Sequence, residues 1–129
     1  NAFWPINAAI FGFDALADYE VRLAALRDNG VALWDVLQSC VRPGSLDADI
    51  KARSMIPNDF SRFFATHPNL ERICFNGAKA AQIYRQRVLP FLPRGSRALH
   101  YVTLPSTSPA HAAMTFADKL QAWRAGLGR

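Results

Sequence analysis

A loop rich in hydroxyl side chains carries the clearest chemical signal of the chain. Ser106, Thr107 and Ser108 lie between Pro105 and Pro109, after an apolar segment and before a helical pattern. The two prolines restrict the backbone of this loop. Hydroxyl groups beside the free N–H groups at the start of a helix suit an anion, above all a phosphate. The loop therefore fits a phosphate contact, although a rigid strand-to-helix turn with a serine cap fits the same pattern.

Three short apolar segments, each followed by a helical pattern, indicate the scaffold around this loop. The segments cover residues 31–37, 72–76 and 98–104. Short apolar runs bounded by turn residues are typical of strands buried on both faces. Strands that alternate with helices predict an α/β fold with a parallel sheet and right-handed crossovers.

Apolar residues at helical spacing predict the remaining elements. We expect helices over residues 1–11, from Asp18 to the stop at Asn29-Gly30, after Asp59, over 78–88 and over 115–125. The last of these helices is expected to bury Phe116, Leu120 and Trp123 because they recur at a spacing of three to four residues.

Polar residues fall at the end of each predicted strand. Asp35 lies near the end of the first strand, Asn76 ends the second, and the hydroxyl loop follows the third. The carboxyl ends of parallel strands share one edge of a sheet, so these residues predict a binding site there. Asp35 could instead pair with Arg42, and Asn76 could serve only as the turn residue before Gly77.

Length and composition limit the classes of protein to consider. With 129 residues, 50% of them hydrophobic, the chain suits one globular domain. No apolar run has the roughly 18 residues that a membrane span needs. The net charge of +5 suits a polyanionic partner, and equally a simple solubility surplus. Cys40 and Cys74 lie far apart, which favours reduced thiols in a cytoplasmic protein; neither they nor the three histidines show metal-ligand spacing.

Four sequence blocks, in this order, resemble a known family. They are NAFW at 1–4, DVL at 35–37 with RPGSL at 42–46, FNGAKA at 75–80, and LPSTSPAH at 104–111. Together they resemble the uracil-DNA glycosylase superfamily, and most of all its hypoxanthine (deoxyinosine) DNA glycosylase branch. The resemblance implies a three-layer α/β/α sandwich with a parallel sheet of four strands, of which three are visible here. The family's first strand precedes the NAFW block, so we expect residues 1–129 to form one such domain lacking its N-terminal strand.

The resemblance also implies roles for individual residues. Asn1 matches the catalytic asparagine that positions water, although an asparagine there could simply cap a helix. The implied base pocket contains Phe3, Trp4, Asp35 and Asn76, although Phe3 and Trp4 also suit a core. The implied DNA contacts are Arg42, Gly44, Ser45, Pro105, Ser106, Thr107, Ser108 and His111, with Ser106 as the expected phosphate contact and His111 equally compatible with a surface position.

The resemblance implies an enzyme that removes a deaminated base from double-stranded DNA in base-excision repair. We expect a monomeric, monofunctional deoxyinosine/uracil glycosylase without metal or cofactor, free of membranes, cytoplasmic and associated with a bacterial-type nucleoid. The alternative is a catalytically inactive member or fragment of the superfamily that binds DNA or a base. A domain that binds a phosphorylated metabolite is disfavoured because the chain has no glycine-rich nucleotide loop.

Overall fold

The computed structural model describes residues 1–39, 55–93, 99–110 and 113–129. In chain order the elements are α1 (Phe3–Phe11), α2 (Tyr19–Asp28), β1 (Leu37–Ser39), β2 (Ile56–Pro57), α3 (Phe60–Thr66), β3 (Arg72–Asn76), α4 (Ala78–Arg87), a 3-10 turn (Leu89–Phe91), β4 (His100–Leu104) and α5 (Phe116–Leu127). The chain divides into two units. Unit 1 contains Asn1–Trp34 and Leu104–Arg129, and unit 2 contains Asp35–Thr103.

In unit 1, α1 and α5 pack against each other and run in the same direction. Near the start of α1, the ring of Phe3 lies 5.9 Å from that of Trp123, edge to face. Near its end, the guanidinium of Arg129 lies 5.2 Å from the ring centre of Phe11. Gly12 then ends α1 with a φ of +77°, a left-handed conformation that a residue without a Cβ adopts at little cost.

The five predicted helices are confirmed, and two of them begin at side-chain caps. Asp59 accepts a hydrogen bond from the Arg62 N–H at 3.0 Å, and Thr115 accepts one from the Asp118 N–H at 3.1 Å. Such caps satisfy N–H groups that have no partner within the helix. The burial predicted for Phe116 is wrong, because it lies in the first turn of α5 and is 48% exposed.

The parallel sheet lies in unit 2, where β3 and β4 are neighbours joined through α4. The His100 N–H donates to the carbonyl of Glu71 at 3.0 Å. Because this bond joins the starts of the two strands, they run in the same direction. The α/β class with a parallel sheet is therefore confirmed, as are strands at 72–76 and within 98–104. Residues 94–98 lie outside the described part of the chain.

The strand predicted over residues 31–37 is wrong. Residues 31–36 form no strand, and Leu33 and Trp34 are 48% and 40% exposed. Of the predicted strand, only Leu37 belongs to β1, which pairs antiparallel with β2. Asp35 therefore precedes a strand instead of ending one.

Aromatic side chains form the core of unit 2. Tyr84 is 1% exposed, and its hydroxyl lies 3.2 Å from the hydroxyl of Tyr101. The rings of Phe60 and Phe75 lie 5.4 and 5.1 Å from that of Tyr84. Burial raises the pKa of Tyr84 well above its usual range, and the hydrogen bond to Tyr101 raises this pKa further.

This buried phenol predicts a loss of stability in alkali. In the unfolded chain Tyr84 ionises near pH 10.0, whereas in the folded chain it ionises only at higher pH. Its contribution to stability is therefore complete below about pH 10 and declines as the pH rises above that value. We expect urea unfolding in this range to show a decline that Tyr84→Phe reduces. Tyr19→Phe, at a half-exposed position, should leave the decline intact; an equal effect of both variants would contradict this prediction.

Candidate functional site

Unit 1 brings together two predicted motifs from opposite ends of the sequence. One is the chain start at Asn1, and the other is the serine loop, defined here as Ser106–Ser108. The N–H of Ala2 donates to the carbonyl oxygen of Thr107 at 3.0 Å. This backbone bond holds the segment before α1 against the segment after β4. Asn1 and the serine loop thus lie on adjacent segments of unit 1, which makes them a candidate site.

The Asn1 side chain caps α1 and retains further hydrogen-bonding capacity. Its Oδ1 accepts from the N–H of Phe3 at 2.8 Å, which fixes the plane of the amide. Within the described part of the chain, its side chain makes no other hydrogen bond. Both Nδ2 hydrogens and the second lone pair of Oδ1 are therefore available to a water molecule. Capping and water positioning, the two roles considered for Asn1, are compatible in this geometry.

The two serines of the loop are arranged as hydrogen-bond donors. Ser106 Oγ accepts from the N–H of Ser108 at 3.1 Å, and Ser108 Oγ accepts from the N–H of Ala110 at 3.2 Å. Each hydroxyl oxygen is thus occupied as an acceptor, which leaves its hydrogen to donate outward. Both side chains are partly exposed. Two neighbouring O–H donors of this kind suit the oxygens of a phosphate.

Two buried side chains hold the serine loop in place. Thr107 is 1% exposed, and its carbonyl oxygen accepts from the N–H of Ala2; the DNA contact expected of it stays a prediction. Trp123 is 4% exposed, and its indole N–H donates to the carbonyl oxygen of Pro105 at 2.9 Å. The sequence marked Trp123 only as an apolar residue. A buried indole N–H needs a hydrogen-bond acceptor. This requirement could have indicated from the sequence that Trp123 anchors a neighbouring backbone carbonyl.

The predicted base-pocket aromatics belong to a cluster of side chains in unit 1. The guanidinium of Arg22 lies 4.5 Å from the ring centre of Trp4, where it covers one face of the indole. The rings of Phe3, Phe13 and Tyr19 approach the same indole edge to face at 5.0, 6.2 and 6.1 Å. Trp4 is partly buried, with Arg22 over one face of its indole, and its place in a base pocket stays a prediction.

Comparisons with known proteins bear on the family of this chain. No family model matches. A hypoxanthine DNA glycosylase from Methanosarcina barkeri is 37% identical over 83 residues, 64% of this chain and 51% of that protein. A hypoxanthine DNA glycosylase from Methanosarcina acetivorans is 37% identical over 100 residues, 70% of this chain and 61% of that protein.

A solved structure supports the same assignment. The solution NMR structure of a candidate uracil DNA glycosylase from Methanosarcina acetivorans superimposes with a TM-score of 0.68 at 29% identity, over 95% of this chain and 73% of that one. These likenesses support the assignment of the chain to the uracil-DNA glycosylase superfamily. The chain spans only about half to three fifths of the length of the two curated relatives.

Several residues implied by the superfamily resemblance belong to unit 2 or lie outside the described residues. Asp35 and Asn76 belong to unit 2, and both are exposed. The carbonyl of Asp35 accepts from Asn58 Nδ2 at 2.7 Å, and Asn76 is the last residue of β3. Their place in a base pocket stays a prediction. The predicted DNA contacts Arg42, Gly44, Ser45 and His111 lie outside the described residues.

The part of the chain that the structure describes contains no group of three potential metal ligands and no helix long and apolar enough to span a membrane. Burial raises the pKa of the Cys74 thiol, which disfavours the reactive thiolate form. Asn1 and the serine loop are therefore the residues whose geometry best supports a function.

Proposed function

We propose that the protein is a monofunctional DNA-deoxyinosine/uracil glycosylase, which hydrolyses the N-glycosidic bond of a flipped, deaminated base in base-excision repair. The observation that carries this proposal is the backbone bond between Ala2 and Thr107, which joins the segment bearing Asn1 to the serine loop. One motif can position water and the other can bind phosphate. The names of the relatives support the same chemistry.

In the proposed reaction, the target nucleotide first leaves the base stack. Extrusion costs a few kcal/mol and costs least for a mispaired base, which favours deaminated bases over normal ones. The glycosidic bond then breaks, its electron pair leaves with the base, and positive charge develops on the sugar. Water attacks C1′ of the sugar and loses a proton. The products are the free base and an abasic site.

Asn1 positions the attacking water in this scheme. Its amide is fixed by the hydrogen bond from Phe3, so its free Nδ2 hydrogens and Oδ1 lone pair point in defined directions. An amide is too weak a base to take a proton efficiently. Its contribution is therefore the orientation of water in the transition state.

The serine loop binds a phosphate beside the flipped nucleotide. Phosphate contacts fix the position of a protein on DNA and carry no information about the base. The half-buried Ser106 and Ser108 hydroxyls act as a pair, because each is oriented by the N–H two residues further on. Their rigid arrangement reduces the entropy lost on binding.

The proposed substrate is double-stranded DNA containing a deaminated base, bound by a monomer. A repair enzyme of this type works where the chromosome is, so we propose a cytoplasmic location at a bacterial-type nucleoid. The net charge of +5 supports attraction to the DNA backbone.

A direct assay tests the proposed activity. The protein is incubated in excess with duplexes that carry one hypoxanthine, uracil, xanthine or ethenoadenine, and alkali converts abasic sites to strand breaks. We expect breaks at hypoxanthine or uracil under these single-turnover conditions. Binding to every duplex without any cleavage would instead identify a catalytically inactive, DNA-binding member of the superfamily.

Replacing Ser106 tests the phosphate contact. We expect Ser106→Ala to weaken binding about tenfold, the loss typical of one hydrogen bond to a charged group. The loss should be equal for hypoxanthine and uracil duplexes, because a phosphate contact does not depend on the base. Binding is measured by fluorescence anisotropy, with Ser61→Ala on the exposed surface of α3 as the control. A loss confined to one damaged base would place Ser106 in the base pocket.

A further inference from the structure

Lys119 is a buried lysine on α5 that the proposed mechanism does not use. It is 6% exposed, and its side chain makes no hydrogen bond or ion pair within the described part of the chain. Its ammonium is not among the buried nitrogens that lack a partner, so the tip reaches solvent while the stem is buried. Lysine is rarely buried to this extent unless it is paired, so its position needs a functional explanation.

The helix packing of unit 1 places Lys119 beside the proposed site. Lys119 precedes Trp123 by four residues and therefore lies on the same face of α5, one turn closer to the start of that helix. Helical side chains lean toward the helix N-terminus, so the ammonium extends further in that direction. Since α1 runs parallel to α5 and Phe3 contacts Trp123, Asn1 precedes Phe3 toward this same end.

The serine loop meets the same end of the two helices. It is tied to Ala2 through its backbone and to Trp123 through the carbonyl of Pro105. The Asn1 segment and the serine loop thus both lie near Trp123, and the register of α5 puts Lys119 one turn from Trp123 toward the start of that helix. The amide, the two hydroxyls and the ammonium can each donate a hydrogen bond to an anion, and the ammonium also carries a positive charge.

We propose that Lys119 binds a phosphate of the DNA backbone next to the phosphate held by the serine loop. This inference rests on the proposed function, because it requires DNA at the site. An ammonium offers three donors as a compact positive charge, and no described protein group accepts from the ammonium of Lys119. The buried stem holds the charge in place, which lowers the entropy that a flexible surface lysine would lose.

The salt dependence of DNA binding tests this role. Affinity for a duplex with an uncleavable 2′-fluoro-deoxyinosine is measured over a series of NaCl concentrations. Each phosphate neutralised adds about 0.9 to the slope of log affinity against log salt. We expect Lys119→Met to reduce that slope by about 0.9 and to weaken binding about tenfold at low salt. Lys119→Arg, which keeps the charge, should retain the slope.

Matched controls separate this role from structural or nonspecific effects. Methionine preserves the buried stem, so an unchanged midpoint of thermal unfolding shows that Lys119→Met folds. Arg27→Gln removes one charge from the exposed last turn of α2 in the same unit, and it should leave the slope unchanged. An unchanged slope in Lys119→Met, or an equal change in Arg27→Gln, would overturn the inference. Slower cleavage with an unchanged slope would overturn it in favour of a contact with the base.

The wild-type protein distinguishes the two levels of the proposal. If it binds and cleaves the lesion while Lys119→Met keeps the wild-type slope, only the role of Lys119 is wrong. If the wild type neither binds nor cleaves any duplex, the proposed function itself fails, and the role of Lys119 fails with it.

Discussion

Asn1→Ala should lower the single-turnover rate of base release by about ten- to a thousandfold, the loss typical of a positioned catalytic group. Binding to the lesion duplex should persist, because the serine loop that holds the phosphate is unchanged. The rate is measured as strand breaks after alkali at saturating enzyme. Affinity is measured separately on an uncleavable analogue of the substrate.

The structure makes a sharper experiment possible, because Asn1 has two roles that can be separated. Its Oδ1 caps α1 through the N–H of Phe3, and its Nδ2 hydrogens remain for water. Asn1→Ser retains a good capping oxygen but has no amide to orient water. Asn1→Ala loses both, and loss of a cap costs about 0.5–2 kcal/mol. We therefore expect both variants to lose activity equally, while only Asn1→Ala loses stability in urea unfolding.

Other outcomes would assign Asn1 differently. If Asn1→Ser cleaves at the wild-type rate while Asn1→Ala is slow, Asn1 acts only by capping α1. If both variants cleave at the wild-type rate, Asn1 has no part in the reaction. In either case the water must be positioned by a group outside the pair formed by Asn1 and the serine loop.

Local patterns predicted much of the fold correctly. A helix is indicated by apolar residues at helical spacing and by a capping residue just before them, all close together in the sequence. Thus α3 and α5 begin directly after Asp59 and Thr115, as predicted. The stretch at 72–76 is bounded by the Asn76-Gly77 turn, and Gly77 adopts a φ of +98°. These features depend on neighbours in the sequence, which makes them accessible without a structure.

Features that depend on distant partners were predicted less well. The run over 31–37 has strand-like composition, but pairing requires a partner, and only its end meets β2. On α5, Phe116 was expected inside and Lys119 was not, although the packing against α1 reverses this. Apolar spacing identifies a helix but does not determine which turns are covered by other elements.

In the candidate site, too, the sequence identified the residues but not the orientation of their side chains. The resemblance brought Asn1 and the serine loop into one prediction, and the Ala2–Thr107 bond supports it. It also named Thr107 among the residues that contact DNA without saying which way its side chain faces, and Thr107 is buried in the structure. Exposure alternates along the serine loop: Ser106 and Ser108 are partly exposed, whereas Thr107 between them is buried.

Trp123 supports the serine loop through the carbonyl of Pro105, and its replacement should cause the largest loss of stability that we expect. Trp123→Ala should lower the free energy of unfolding by about 3–5 kcal/mol, because it removes a large buried ring from between α1 and the loop. Phe116→Ala, on the same helix at a half-exposed position, should cost only about 0.5 kcal/mol. Urea unfolding of the two variants measures both changes.

Trp123→Phe isolates the indole hydrogen bond from the packing. It keeps an aromatic ring but leaves the carbonyl of Pro105 without its donor, which should cost about 1–3 kcal/mol. Because that carbonyl directly precedes Ser106, we also expect weaker binding of lesion duplex, by a similar factor to Ser106→Ala. A loss of stability with unchanged DNA affinity would show that Trp123 supports the core alone. Losses in both measurements, absent from Phe116→Ala, would show that the buried indole fixes the serine loop in the geometry that binds phosphate.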